Sequence, residues 1–286
     1  MLRLALPNKG RLAEDTLTLF ADAGLAPESR ADRALSTSLG GEFEAIFVRA
    51  QDIPEFVADG AADAGVTGWD LVRESARPLT SSLDLGFGQC KMVVAARTES
   101  SITSIDDVAD GARVATSFPR VATEYFKTAR RSVEIVPVSG ATESAPRLGI
   151  ADIIVDLTSS GSTLRSNGLR EIATVLTSSA RLVTRENDTQ GERVSALCDL
   201  RLALESVLRA RGMRYLMANV PLDQLDRVRL IVPGLNGPTI SAILNGGDMA
   251  AVHAVVPAAR VYRTIAELKA LGGEGILVTR IERLMS

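Results

Sequence analysis

Short apolar runs that break into glycine- or serine-bearing loops, followed by amphipathic stretches, recur along the first two thirds of this chain. The run at 2–6 reads as a strand and the stretch at 12–23, closed by Gly24, as a helix. Strands are predicted at 43–48, 64–67, 92–96, 113–116, 133–138, 150–157 and 181–184. Short helices fit 53–59 and 106–109, a longer one follows Ser117-Phe118-Pro119 through Lys127, and further helices follow the loop at 139–143 and resume at Leu164. Strand, loop and helix in alternation predict a mostly parallel α/β sheet arrangement. A long helix is predicted at 192–211, with Val194, Leu197, Cys198, Leu204, Val207 and Leu208 as its apolar stripe and Gly212 as its stop. The last 75 residues change character. Strands at 215–220, 238–244, 249–256 and 275–281 with helices at 222–230 and 261–271 give the order βαββαβ, a ferredoxin-like sandwich.

The richest chemistry lies at 152–164, Asp-Ile-Ile-Val-Asp-Leu-Thr-Ser-Ser-Gly-Ser-Thr-Leu. A buried strand runs into a hydroxylic loop and a helix start, where unpaired backbone N–H groups and Ser/Thr hydroxyls can hold a phosphate. Asp156, at the carboxyl end of the strand, stands where open α/β sheets bind ligands. The same loop is also a plain helix cap. Lys9 and Arg11 sit at a second loop-to-helix mouth, suited either to an anion or to a solvated first turn. Arg49 and Asp70 both fall near strand ends, in a site or as a surface ion pair. Trp69 is a core anchor or a cleft wall, and Phe118 is an adenine-stacking face or a core residue.

Composition narrows the classes. With 32 basic and 35 acidic residues the chain carries a net charge of −3, which argues against general nucleic-acid binding and leaves room for a locally positive cleft. Cys90 and Cys198 are far apart, without metal or redox spacing, and are expected as free thiols in a reducing cytosol. The N-terminal apolar part is too short for a signal peptide and no 18-residue apolar run occurs, so a cytoplasmic, non-membrane protein is expected. The single histidine, His253, lies in an alternating run and reads as a strand surface residue; no histidine-based triad is possible.

Glu143, Gly149, Ala151, Ile154, Asp156, Leu157, Ser160, Gly161, Thr163 and Leu164 stand at the spacing of the ATP phosphoribosyltransferase signature, so the chain resembles that family. The Pro-Asn-Lys-Gly-Arg segment at 7–11, Thr67-Gly68-Trp69-Asp70-Leu71, and Pro233-Gly234-Leu235 with Pro238-Thr239 resemble further segments of its long form. The resemblance implies a two-lobed, periplasmic-binding-protein-like catalytic region (1–90 with 182–211, and 91–181) and a regulatory domain at 212–286. It implies transfer of a 5-phosphoribosyl group from phosphoribosyl pyrophosphate to N1 of ATP, aided by Mg²⁺ held mainly through substrate phosphates. Glu143, Asp156, Thr158, Ser159, Ser160, Gly161, Ser162 and Thr163 would bind phosphoribosyl pyrophosphate, with Asp156, Lys9 and Arg11 catalytic. Arg49, Gly68, Asp70, Leu71 and Phe118 would bind ATP. Phe118 stands where some relatives carry Tyr, so stacking but no hydroxyl contact is expected of it. L-Histidine would inhibit through Asn219, Leu235, Thr239 and Gly275, in a homo-oligomer, dimer or hexamer. The rival classes are a two-lobed solute-binding protein and an amino-acid-sensing regulator, the latter lacking any visible DNA-binding module.

Overall fold

The computed structural model describes residues 1–28, 36–186, 191–244 and 247–285. The chain divides into two compact units, Met1–Arg201 and Leu202–Ser286. The first unit begins with β1 (Leu2–Pro7), α1 (Gly10–Asp22), β2 (Ser36–Leu39), β3 (Phe43–Val48), α2 (Ile53–Ala58), β4 (Ala64–Gly68), α3 (Trp69–Ser75) and β5 (Leu79–Asp84). It continues with β6 (Cys90–Arg97), β7 (Ala112–Thr116), α4 (Pro119–Thr128), β8 (Val133–Pro137), β9 (Ile153–Thr158), α5 (Ser162–Ser166), β10 (Leu169–Ser178) and β11 (Ala180–Arg185). Helix α6 (Glu192–Arg211) carries the chain across the unit boundary.

Two sheets make two lobes of the first unit. One has the order β2-β3-β1-β4-β11-β5 and the other β10-β6-β9-β7-β8. The chain passes from the first sheet to the second between β5 and β6 and returns between β10 and β11. Strands β3, β1 and β4 are parallel, so the loops that follow them share one edge of the first sheet. In the second sheet β9, β7 and β8 are parallel, β6 pairs antiparallel to β9, and β10 pairs antiparallel to β6 at the edge.

The strands that read as unbroken apolar runs are buried on both faces. Along β6, Met92, Val94 and Ala96 pack into one apolar core with Phe126, Val114 and Ile153, while Val93 and Ala95 pack into another with Ile154 and Leu164. Double burial removes the polar alternation of a half-exposed strand. The three strands that pattern reading leaves out, β2, β5 and β10, are all sheet edges. Strand β5 is mostly polar (Leu-Thr-Ser-Ser-Leu-Asp), and β10 has register shifts between Glu171 and Ala173 and between Thr174 and Leu176 that break its period of two. Strand β9 starts at Ile153, later than the predicted 150, because Ile150 lies in an exposed turn and Asp152 pairs with the backbone of Arg113. The loop at 139–143 leads into a 3₁₀ turn, Thr142–Ser144, where an α-helix was expected.

In α6 the buried side chains include Leu197, Leu200, Leu204, Val207 and Ala210; Cys198, expected in that stripe, is exposed. The second unit contains β12 (Met213–Pro221), α7 (Leu225–Ile231), β13 (Thr239–Ala242), β14 (Met249–Pro257), α8 (Val261–Ala270) and β15 (Glu274–Arg280). Its sheet order β13-β14-β12-β15, antiparallel throughout, is the ferredoxin-like arrangement. Leu216, Ala218 and Val220 alternate into its core with Val252, Ala254 and Leu268. Among the described residues no helix is long and apolar enough to cross a membrane.

Phe126, edge-on to Tyr125 at 5.4 Å, is the largest fully buried side chain in the second lobe's core. Phe126→Ala is expected to cost about 3–5 kcal/mol of stability, read as a lower denaturant midpoint. Tyr262→Ala, at a side chain 89% exposed, should change stability by less than about 0.5 kcal/mol.

Candidate active site

The first lobe contributes the loops after β1, β3 and β4. The Asn8 N–H donates to the Val48 carbonyl at 2.9 Å, so the loop carrying Lys9 and Arg11 runs beside the one carrying Arg49. Thr67 Oγ1, itself buried, donates to the Ala50 carbonyl at 2.7 Å and ties the β4 loop to the same edge. Helix α1 starts at Gly10, two residues before the predicted 12, which puts Lys9 at its N-cap and Arg11 in its first turn. Lys9, Arg11 and Arg49 are exposed and have no acidic partner among the described residues. Three uncompensated cations therefore stand around adjacent strand ends, a place that suits an anion.

The second lobe contributes the loop between β9 and α5. Here the Gly161 N–H donates to Thr158 Oγ1 at 2.8 Å, Ser160 and Ser162 hydroxyls lie 3.0 Å apart, and Arg165 Nη1 donates to the Ser160 carbonyl at 3.1 Å. Gly161 holds φ +71°, a backbone conformation that calls for glycine. Helix α5 has only five residues, Ser162–Ser166, and its first N–H, of Ser162, donates to Ser160 Oγ at 3.4 Å. Asp156 is half-buried just upstream and accepts the Leu157 N–H at 2.8 Å. Burial pushes its carboxyl above the usual range, the Leu157 hydrogen bond opposes this, and the negative charge of Glu143 adds to it. Glu143 thus stands close enough to Asp156 for the two carboxylates to sense each other.

A cleft of about 400 Å³ lies at the crossings between the lobes, lined by Ser159, Asp84, Gln89, Cys90, Lys91, Thr177, Ser178, Ser179 and Arg181. Of these only Ser159 was a sequence candidate. Asp84 ends β5, and the others sit in the two crossing segments, Gly-Phe-Gly-Gln-Cys-Lys at 86–91 and Thr-Ser-Ser-Ala-Arg at 177–181, whose runs of small and polar residues were their only signal. Gly88 lies against Leu12, and the Trp69 N–H donates to the Ser179 carbonyl at 3.0 Å, so the starts of α1 and α3 both border these crossings. Trp69 is half-buried, packs on the first lobe's core and carries the Arg181 guanidinium 6.0 Å from its ring.

Asp70 makes no surface pair with Arg49. It is 6% exposed, donates its N–H to Ser178 Oγ at 2.9 Å and accepts the Ser178 hydroxyl on Oδ1 at 2.5 Å. Gly68 is needed here for space, since a Cβ would meet Asp70 Oδ1 at 2.4 Å. Leu71 packs against the second lobe's core. Phe118 is 8% exposed and belongs to the second lobe's core cluster with Met92, Val121 and Phe126, which matches the core alternative of its sequence reading.

In the second unit the register sets Asn219 opposite Glu274, beside Gly275, on neighbouring strands β12 and β15. Thr239 lies on β13, with β14 between it and β12, and Leu235 is about half exposed in the loop before it. Asn219 and Gly275 are thus neighbours, while Thr239 lies two strands away from Asn219 in the same sheet. His253 is on β14, its Nδ1 3.0 Å from the Tyr215 hydroxyl.

Burial raises the Asp70 carboxyl above its ordinary value of 3.8, with hydrogen bonds from Ser178 and the backbone opposing the shift. The folded state therefore binds this proton more tightly than the unfolded state, and the carboxyl's contribution is fully present below the ordinary value and lost as pH rises through the raised one. Relative to wild type, Asp70→Asn should gain stability between about pH 3 and neutrality, measured by denaturant unfolding at each pH; a difference independent of pH would contradict this.

Against known proteins, the family described as HisG, ATP phosphoribosyltransferase, matches residues 49–204, and its C-terminal domain matches residues 210–283. The ATP phosphoribosyltransferase of Gemmatimonas aurantiaca is 64% identical over 293 residues, covering 100% of both chains. That of Halobacterium salinarum is 47% identical, covering 99% of this chain and 100% of its own. Among solved structures, the chain is similar to one from the ATP phosphoribosyl transferase (HisG:HisZ) complex of Thermotoga maritima, with a TM-score of 0.62, 28% identity, and 72% of this chain and 96% of that chain covered. The chain belongs to the ATP phosphoribosyltransferase family and is a transferase of the long, C-terminally extended form.

Proposed function

We propose that the protein transfers the 5-phosphoribosyl group of phosphoribosyl pyrophosphate to N1 of ATP and releases pyrophosphate, the first step of histidine biosynthesis. The observation that carries this reading is the half-buried Asp156 at the end of β9, directly before the hydroxyl-lined loop whose Ser159 borders the interlobe cleft. The adenine N1 lone pair attacks the anomeric carbon while the bond to pyrophosphate breaks and the leaving group takes the electron pair. No strong base is required, so catalysis rests on positioning and charge.

In this reading Thr158, Ser159, Ser160, Gly161, Ser162 and Thr163 hold the 5-phosphate. Asp156 accepts ribose hydroxyls beside the positive charge that develops on the ring, and Glu143 shares that acidic corner. Lys9 and Arg11 meet the leaving pyrophosphate, while Arg49, Gly68, Asp70 and Leu71 position ATP. Among the described residues no group of three or more His, Cys, Asp or Glu could hold a metal ion. The pair Asp156 and Glu143 fits a Mg²⁺ that arrives already bound to substrate phosphates, its preferred ligands. When bound, the ion supplies charge neutralisation at the leaving group.

Feedback inhibition by L-histidine through Asn219, Leu235, Thr239 and Gly275, and assembly as a homo-oligomer, dimer or hexamer, complete the proposal. Pyrophosphate release should require both substrates and fall when histidine is added; binding of both substrates without turnover would favour the solute-binding class instead. Asp156→Asn should lower kcat by about a hundredfold, and a near-normal kcat would remove Asp156 from its role. Asn219→Ala should keep turnover and lose suppression by histidine, whereas undiminished suppression would place the inhibitor elsewhere.

A further inference from the structure

Ser178 and Asp70 are 108 residues apart and belong to different lobes, yet they exchange two hydrogen bonds. Asp70 is in the first turn of α3, on the first lobe, whereas Ser178 is the last residue of β10 in the second lobe's sheet, paired in register with Cys90. Both are more than nine-tenths buried. One hydroxyl does two jobs: it accepts the Asp70 N–H and donates to Asp70 Oδ1, which only a group with donor and acceptor capacity can do. The other end of α3 is held from the same side. Glu74 Oε1 and Oε2 accept the N–H groups of Arg120 and Val121 at 3.1 and 3.0 Å, at the start of α4, and Arg73 pairs with Glu124 at 3.0 Å. The helix that carries the Gly68-Trp69-Asp70-Leu71 segment therefore takes its placement from the second lobe at both ends.

We propose that Ser178 is a positioning residue for the nucleotide: it fixes the Asp70 carboxylate and the start of α3 so that ATP is held in register with the phosphoribosyl site. This rests on the reading of the cleft as the site where ATP and phosphoribosyl pyrophosphate meet. A hydrogen bond to a charged group is the part lost in Ser178→Ala, which corresponds to about a tenfold or larger rise in KM for ATP. Among the described residues the loop at 158–163 makes no hydrogen bond to Ser178, so KM for phosphoribosyl pyrophosphate should change less than about threefold.

The test is steady-state kinetics on the full chain, varying each substrate in turn, for wild type, Ser178→Ala, Ser178→Thr, Asp70→Asn and the Ser178→Ala/Asp70→Asn double variant. Support is a rise in KM confined to ATP, restoration by Thr, which keeps the hydroxyl, and a double variant no worse than Asp70→Asn alone. An unchanged KM for ATP, or an equal rise for both substrates, overturns the inference and leaves the proposed reaction intact. Should Ser178→Ala fail to fold, Ser178→Cys, a weaker donor, must show an intermediate ATP-confined rise, and an unchanged KM overturns the inference. Wild-type protein that does not turn over the two substrates overturns both.

Discussion

Two backbone hydrogen bonds clasp the crossings between the lobes: the Ala180 N–H donates to the Phe87 carbonyl at 2.9 Å, and the Leu85 N–H donates to the Ala180 carbonyl at 3.0 Å. A strand that leaves one sheet must find partners for its peptide groups before it joins the next. Here each crossing supplies them for the other, and the cleft is built on the pair. Cys90 and Lys91 follow one crossing; Ser178, Ser179 and Arg181 flank the other. Beside them Ser179 donates to Asp84 at 2.9 Å and Arg181 pairs with Asp84 at 3.1 Å, so side chains reinforce what the backbone begins.

Charge is distributed unevenly across this frame. Asp70 and Asp156 are both drawn into protein and both pushed up by burial, but their compensation differs. Asp70 has a serine hydroxyl and backbone N–H groups; Asp156 has one backbone N–H and faces a second carboxylate. The first arrangement holds a group still. The second leaves acceptor capacity for hydroxyls or a cation, as a site for ribose and magnesium pyrophosphate would need. The exposed cations Lys9, Arg11 and Arg49 supply the opposite sign within a chain whose net charge is −3.

The second unit shows how a sheet can separate residues that a motif groups. Asn219 and Gly275 meet because β12 and β15 are neighbours, and a register shift in that pairing falls between Met217 and Asn219. Thr239 opens β13 on the other side of the same sheet, and Leu235 lies in the loop before it. With strands about 4.8 Å apart, the intervening β14 puts roughly 10 Å or more between Asn219 and Thr239.

What the chain declared by itself was local. Apolar runs long enough to fill β1, β3, β4, β7 and β9, the glycines that stop or start helices, and the hydroxyl loop after Asp156 depend on neighbours a few residues away, and their spacing made them readable. The βαββαβ order at the end was legible for the same reason. Tertiary structure decided the rest. Edge strands β2, β5 and β10 take their form from a partner on one side, and bulges in β10 erase its alternation. Whether Phe118 was exposed or packed in the core turned on which helices and strands closed around it. Asp70 could be placed near a strand end from sequence, but its partner, 108 residues along the chain, came into reach only when the two lobes formed, because a hydrogen bond is set by distance in space and leaves no period in the sequence.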